Sequence, residues 1–147
     1  MLLTGRDAVL PGRVRPANLE GVPKGCIDQD LVWLGDREVP VVELVAAVLR
    51  RVRVEAERVA GGAVAEAVLT YPSAWGEARC ARLRAAARAA GFAAVTLVPE
   101  PVAAAAWFAR AGSGDAGTGE PVVVYDFGAG TFDVAVVRLG DAASAVR

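Results

Sequence analysis

Apolar residues recur at helical spacing after Pro40, and this pattern predicts the longest helix of the chain. Valine and leucine fall on one face while charged residues largely cover the other, with Leu44, Val45, Val48, Leu49, Val52 and Val59 opposed to Arg50, Arg51, Arg53, Glu57 and Arg58. Proline suits the first helical position, and a glycine readily supplies the left-handed residue that ends a helix. We therefore expect a helix that begins at Pro40 and ends at Gly61-Gly62.

The rest of the chain alternates between strand and helix patterns, which predicts an α/β fold. Residues 1–39 are turn-rich and are expected to be irregular, apart from an extended piece at 31–34. The other predicted elements are a buried strand at 64–71 stopped by Pro72, a helix at 77–90 capped by Gly91, a strand at 94–98, a rigid corner at 99–101, a small-residue helix at 102–111, and strands at 122–125 and 132–139.

The last two predicted strands enclose a glycine-rich turn that has an aspartate at each end. It reads Asp126-Phe127-Gly128-Ala129-Gly130-Thr131-Phe132-Asp133. Its glycines allow close backbone approach, so consecutive N–H groups can point at phosphate oxygens, and the threonine adds a hydroxyl donor. Asp126 and Asp133 are hard oxygen ligands that suit Mg²⁺ through its retained waters. The segment predicts a phosphate-binding strand-turn-strand; a plain hairpin turn with two solvated aspartates is the alternative.

Charge and hydropathy argue against several classes of partner. The formal net charge is -1, which gives no electrostatic basis for binding nucleic acid or an anionic membrane. No apolar run reaches the roughly 18 residues that a spanning helix needs. The first seven residues lack a basic region followed by an apolar one, so no secretory signal is predicted. A cytoplasmic location is therefore expected.

The histidine, cysteine and lysine content limits the kinds of catalytic and metal site that the chain can form. The chain has no histidine, which excludes histidine triads, histidine zinc sites and histidine general bases. Cys26 and Cys80 have no metal-ligand spacing and are expected to be free thiols. Lys24 is the only lysine among 16 basic residues, the others being arginine. A compact ammonium on a flexible stem suits contact with a phosphate, with chance as the alternative reading.

Several motifs, in the correct order, resemble the seventy-kilodalton heat-shock chaperones of DnaK type. The turn at 126–133 resembles the family's second phosphate loop, D-L-G-G-G-T-F-D. Upstream, residues 99–105 resemble N-E-P-T-A-A-A, residues 68–75 resemble V-I-T-V-P-A-Y-F, residues 88–91 resemble R-I-A-G, and a weaker likeness around Val22-Pro23-Lys24 lies near the family's catalytic lysine. The resemblance covers most of the chain.

The resemblance implies roles for individual residues around ATP or ADP and Mg²⁺. Lys24, Glu100 and Thr131 would be catalytic: the lysine would contact the transferred phosphate and Glu100 would order the water shell of the metal. Gly128, Ala129, Gly130 and Thr131 would bind phosphates, and Asp126 and Asp133 would hold Mg²⁺ through water. Pro72 would belong to the switch that couples nucleotide state to a peptide-binding domain.

The resemblance also implies a partial actin-like (ribonuclease H-like) ATPase fold, with most of lobe I and the first hairpin of lobe II. Residues 1–40 would belong to the irregular IB-like part, 41–116 to the IA-like core, and 117–147 to the start of lobe II. Because the family's first phosphate loop would precede this segment, the chain alone is expected to bind ATP weakly without turning it over. Client peptides and co-chaperones would engage only the intact protein.

Three positions depart from the family pattern. Ala129 replaces the middle glycine of the loop, and Pro99 replaces the asparagine before Glu100. The family's switch arginine falls on or near Cys80, with Arg79 and Arg82 adjacent. These departures keep two alternatives open. One is a sugar-kinase-like member of the same superfamily, which shares the phosphate hairpin, and the other is a regulatory or binding module that has lost hydrolysis.

Overall fold

The described residues have the α/β composition that the alternating patterns predict. The computed structural model describes residues 2–111, 120–128 and 132–138. The helices are α1 (Arg6–Val14), α2 (Val41–Ala60), α3 (Glu77–Ala89) and α4 (Glu100–Arg110), with 3-10 helices at Pro16–Asn18 and Pro23–Cys26. The strands are β1 (Leu31–Leu34), β2 (Arg37–Pro40), β3 (Glu66–Tyr71), β4 (Ala94–Pro99), β5 (Pro121–Phe127) and β6 (Phe132–Arg138).

The chain divides into two compact units. The first comprises Met1–Val68 and Trp75–Thr96, and the second comprises Leu69–Ala74 and Leu97–Arg147. The described strands form three two-stranded sheets, which pair β1 with β2, β3 with β4 and β5 with β6. None of the helices in the described ranges has the length and apolar character needed to cross a membrane.

The core of the first unit lies where the β1–β2 hairpin meets the start of α2. Val32, Val39, Val41 and Leu44 are buried there in one cluster. Val32 and Val39 are cross-strand partners in the antiparallel pairing, so their side chains share the buried face. Pro40 pairs with Leu31 as the last residue of β2, so it precedes α2 instead of opening it. The predicted helix is therefore correct to within one residue at its start.

Helix α2 buries its first half and exposes much of its second. Leu44 and Val45 are buried as predicted, together with small residues of α2 and α3 that let the two helices approach closely. Val48, Val52 and Val59, predicted for the same buried face, are exposed, and Val59 is 73% exposed. The apolar periodicity predicted the helix correctly, but among the described residues only the first turns of α2 are fully covered.

Two expectations about irregular and buried segments are wrong. Residues 6–14 form helix α1, although Pro11-Gly12 favoured a turn. Gly12 is the buried residue of α1, and the side chain of Leu19 would lie 2.6 Å from a Cβ at position 12, so the absence of a side chain allows this close packing. Strand β3 was expected to be fully buried, yet its residues alternate between exposed and half-buried. That alternation fits a strand in a two-stranded sheet, with the predicted stop at Pro72 confirmed.

The second unit contains the β5–β6 hairpin and helix α4, which packs on both of its strands. Residues 99–101 were expected to form a rigid corner, but Glu100 and Pro101 are the first two residues of α4. Proline is tolerated there because the first helical N–H groups have no intrahelical acceptor. Glu100 therefore sits at the positive end of the α4 dipole, where a carboxylate is stabilised.

Candidate functional site

The two aspartates of the glycine-rich turn are direct partners across the hairpin. Asp126 of β5 pairs with Asp133 of β6, one position before the closing pair Phe127 and Phe132. The two phenylalanine rings stack edge to face with centroids 5.8 Å apart. Because successive side chains of a strand point to opposite faces, the aromatic pair and the aspartate pair lie on opposite faces of the hairpin. The face that carries the aspartates also carries Val124 and Ala135, which line the same pocket.

A small pocket in the second unit brings four of the predicted site residues together. Pro72, Glu100, Asp126 and Asp133 all line it. The remaining lining residues are Ser73, Pro101, Val124 and Ala135. Pro72 follows β3, Glu100 begins α4, and the aspartates come from the hairpin, so three separate parts of the unit converge there. Sequence reasoning did not single out Ser73, which gave no signal beyond its place after Pro72.

The charges around this pocket favour a cation. Like charges directly opposite each other on two paired strands are destabilising, and Asp126 and Asp133 are such a pair. Glu100 adds a third carboxylate to the lining. Within the described ranges, no group of three acidic, cysteine or histidine side chains is close enough to hold a metal ion directly. The donor set fits Mg²⁺, which keeps several of its waters and binds through few carboxylates.

Lys24 lies in the first unit, on the short 3-10 helix Pro23–Cys26. Its Nζ stands 5.6 Å from the ring centroid of Trp75, a cation–π arrangement. Trp75 comes two residues before the start of α3. The tryptophan is the last residue of the motif at 68–75 that contains Pro72, but nothing in the spacing of that motif indicated a contact with a lysine 51 positions earlier.

The glycine-rich turn is described only at its ends. Gly128 follows β5 and is exposed. Ala129, Gly130 and Thr131, predicted to bind phosphates, lie outside the described residues. The roles assigned to these three residues and to Gly128 therefore stay predictions.

Comparison with known proteins places most of the chain in one family. A family profile described as "Hsp70 protein" matches residues 26–147, so Lys24 lies just before the matched region. "Chaperone protein DnaK" of Thermosipho melanesiensis is 36% identical over 110 residues, and its counterpart in Thermosipho africanus is equally similar. The DnaK of Thermotoga neapolitana is 34% identical over 110 residues. Each alignment covers 75% of this chain and 18% of the relative.

Proposed function

Because the chain belongs to the Hsp70 family, we propose that it forms part of the nucleotide-binding domain of a DnaK-type chaperone. Family membership implies an actin-like ATPase fold. Within that fold, residues 1–40 and 41–116 are assigned to lobe I and residues 117–147 to the start of lobe II. The chain spans about a fifth of the length of these DnaK relatives, 18% in each case, so the activity of the whole chaperone is part of the proposal.

The observation that carries this proposal is the facing pair Asp126 and Asp133 in a pocket that Glu100 also lines. A hairpin that keeps two carboxylates opposite each other is stabilised when a cation screens them. In the proposed function Asp126 and Asp133 hold the water shell of Mg²⁺, and Glu100 orders those waters. When bound, the ion would neutralise charge on the nucleotide phosphates.

The remaining predicted residues act on the phosphates. Backbone N–H groups from Gly128 to Gly130 would donate to phosphate oxygens, and Thr131 would add its hydroxyl. Lys24 would place its ammonium on the transferred phosphate and help to position the attacking water. Pro72 lines the pocket beside Glu100, a place from which it can respond to the occupant of the site.

In the intact chaperone, this site would use ATP hydrolysis to drive binding and release of client peptides in the cytoplasm, with co-chaperones as further partners. The family match favours this function over a sugar kinase. A regulatory module that has lost hydrolysis is the second candidate. Pro99 and Ala129 favour it, because both depart from the family pattern next to proposed site residues.

Magnesium-dependent nucleotide binding tests the proposal on the chain itself. Amide NMR spectra recorded with ATP and Mg²⁺, and again with ATP and a chelator, would differ at Gly128 and around Asp126 and Asp133. Asp126→Asn should abolish that magnesium-dependent difference, because one of the two carboxylates is gone. It should also raise the thermal midpoint without metal, because the repulsion across the hairpin is removed.

The matched control is Asp36→Asn, which neutralises an exposed aspartate in the turn of the β1–β2 hairpin. This variant should keep the magnesium-dependent shifts. If Asp126→Asn and Asp36→Asn respond to Mg²⁺ and ATP identically, the assignment of the metal site is wrong.

A further inference from the structure

The segment that carries Lys24 has little regular structure of its own. We call residues 23–30 the lysine turn. It contains one short 3-10 helix, and its internal backbone bonds include Ile27 N–H to Lys24 O at 3.4 Å and Gln29 N–H to Cys26 O at 2.9 Å. Short 3-10 pieces have poorer hydrogen-bond geometry than an α-helix. Ile27 is buried and anchors one point of the lysine turn in the core of the first unit.

Arg79 of α3 binds the lysine turn through a two-point ion pair. Its Nε donates to Asp28 Oδ1 at 2.6 Å and its Nη2 donates to Asp28 Oδ2 at 2.6 Å. A guanidinium that donates two parallel bonds to one carboxylate fixes direction as well as distance. Asp28 lies four positions after Lys24 in sequence and 51 positions before Arg79.

Arg82 binds the same segment from one helical turn further along α3. Its Nη1 donates to the carbonyl oxygens of Ile27 at 3.0 Å and Gln29 at 2.5 Å, and its Nη2 donates to Asp30 Oδ1 at 2.6 Å. Residues three apart on a helix share a face, so Arg79 and Arg82 can both donate hydrogen bonds to the lysine turn. They contact four consecutive residues, Ile27, Asp28, Gln29 and Asp30.

The residues just before the same helix also provide the surface beneath the lysine. Trp75, just before α3, carries the ring that lies 5.6 Å from Lys24 Nζ. The lysine turn is therefore hydrogen-bonded to α3, and the Trp75 ring lies in the residues that lead directly into α3. A rigid link between α3 and the lysine turn fixes where the ammonium lies relative to Trp75, and a loose link would let it move.

We infer that Arg79 and Arg82 are positioning residues for Lys24, which hold the lysine turn on α3 so that the ammonium stays over Trp75. The inference rests on the proposed function only for what the positioned ammonium then does to a phosphate. The competing reading is that the core contacts of Ile27 and Cys26, with the bond from Val41 N–H to Asp30 O at 3.0 Å, anchor the lysine turn, and that the arginines are ordinary surface pairs. Exposed pairs contribute little to global stability, and Asp30 is 88% exposed on its side chain. Loss of the arginines should therefore disturb the position of Lys24 more than the melting temperature.

Lys24 can be observed directly because it is the only lysine in the chain. Reductive methylation with ¹³C-formaldehyde keeps the positive charge and labels this side chain and the α-amino group alone. The ring current of Trp75 displaces the Lys24 methyl resonance, and Trp75→Leu gives the position of that resonance without the ring. We expect Arg79→Gln combined with Arg82→Gln to move the resonance at least half of the way to that position.

The control is Arg84→Gln, which removes an exposed arginine of α3 that pairs with Glu77 at 2.7 Å within the same helix. This variant should leave the Lys24 resonance where it is. Asp28→Asn provides a second route, since it removes the negative charge and one of the two oxygens that accept from Arg79 and leaves the sequence of α3 unaltered. Arg79→Lys should give an intermediate displacement, because lysine keeps the charge but cannot donate the two parallel bonds of a guanidinium. A displacement of less than half in both the arginine double variant and Asp28→Asn would overturn the inference. The experiment uses no nucleotide, so its outcome is independent of whether the chain binds ATP.

Discussion

At the scale of single residues, the arginines do more than supply surface charge. The sequence predicted arginine mainly on solvated faces, but several donate to backbone carbonyls elsewhere in the first unit. Arg50 donates to Ala89 O at 3.2 Å and Arg51 donates to Thr4 O at 2.8 Å. Arg51 also pairs with Asp7. The bias toward arginine could be seen in the composition, whereas the acceptors could not, because they lie 39 and 47 residues away in sequence.

The Asp28 carboxyl should report on the link between α3 and the lysine turn. Its hydrogen bond to Arg79 holds the pKa of Asp28 below the ordinary value of 3.8, with smaller contributions from the charges of Arg79 and Arg82. Arg79→Gln should raise this pKa toward 3.8, because the principal cause of the shift is removed. Titration of the side-chain carboxyl by NMR measures the change.

The lowered pKa of Asp28 decides how its contribution to folding stability changes with pH. A carboxyl whose pKa is depressed by folding stabilises the fold above its unfolded pKa and loses that contribution as the pH falls through the folded value. The link should therefore be fully present at neutral pH and open only below the usual range of an aspartate. Glu55 is the internal control, since its lowered pKa comes from Arg58 and should not respond to Arg79→Gln. An unchanged pKa of Asp28 would contradict the prediction.

At the scale of elements, the C-terminal ends of α2 and α3 were predictable because they depend on neighbours in sequence. The glycine pair after α2 predicted its end, and Gly61 is the left-handed residue there, with φ of 68°. Gly91, predicted to cap α3, follows its last residues with φ of 98°. The hairpin was also predictable, because glycine spacing and β-branched residues are local signals.

Gly61→Ala should destabilise the first unit by about 1–2 kcal/mol, because an L-residue is strained at positive φ. Nothing lies within 4 Å of the position where a Cβ would be added, so the loss would be backbone strain and not a clash. Chemical denaturation followed by circular dichroism measures it.

The neighbouring Gly62 provides the matched control. A Cβ added at this position would also meet open space, but the φ of Gly62 is not positive. Gly62→Ala should therefore leave the free energy of unfolding nearly unchanged. Equal losses of unfolding free energy in the two variants would show that backbone strain at Gly61 does not cause the destabilisation.

Burial along the elements was harder to predict than the elements themselves. The apolar stripe of α2 gave the correct helix, yet Val52 and Val59 are exposed. The apolar run of β3 predicted a strand, yet the strand is only half-buried. Periodicity shows which residues can share a face, but a face is buried only where another element covers it.

At the scale of the whole molecule, the question is how much of an ATPase this chain contains. It covers 18% of the length of its DnaK relatives, so most of the length of such a chaperone lies outside the aligned segment. The chain alone should bind ATP weakly and release no phosphate above background.

A chimera in which this chain replaces the matching stretch of a DnaK relative should hydrolyse ATP. Lys24→Ala and Thr131→Ala should each reduce the rate of hydrolysis by the chimera at least tenfold, which corresponds to roughly 1.4 kcal/mol or more in activation free energy.

The surface-charge control for the chimera is Arg58→Ala, which removes an exposed cation of α2 that pairs with Glu55. Its rate of phosphate release should match that of the unaltered chimera. Hydrolysis that survives both Lys24→Ala and Thr131→Ala would remove these residues from the catalytic role and favour the regulatory reading.

The sequence by itself determined most of the elements, the ends of α2 and α3, the aspartates at both ends of the hairpin and the family resemblance, because each of these depends on residues a few positions apart. It did not determine helix α1 or the start of α4 at Glu100. Tertiary structure decided which side chains meet. It placed Pro72 and Glu100 in the pocket of Asp126 and Asp133, and it set Arg79, Arg82 and Trp75 against the lysine turn. Contacts between residues some 50 positions apart depend on how elements pack, and no local pattern encodes that packing.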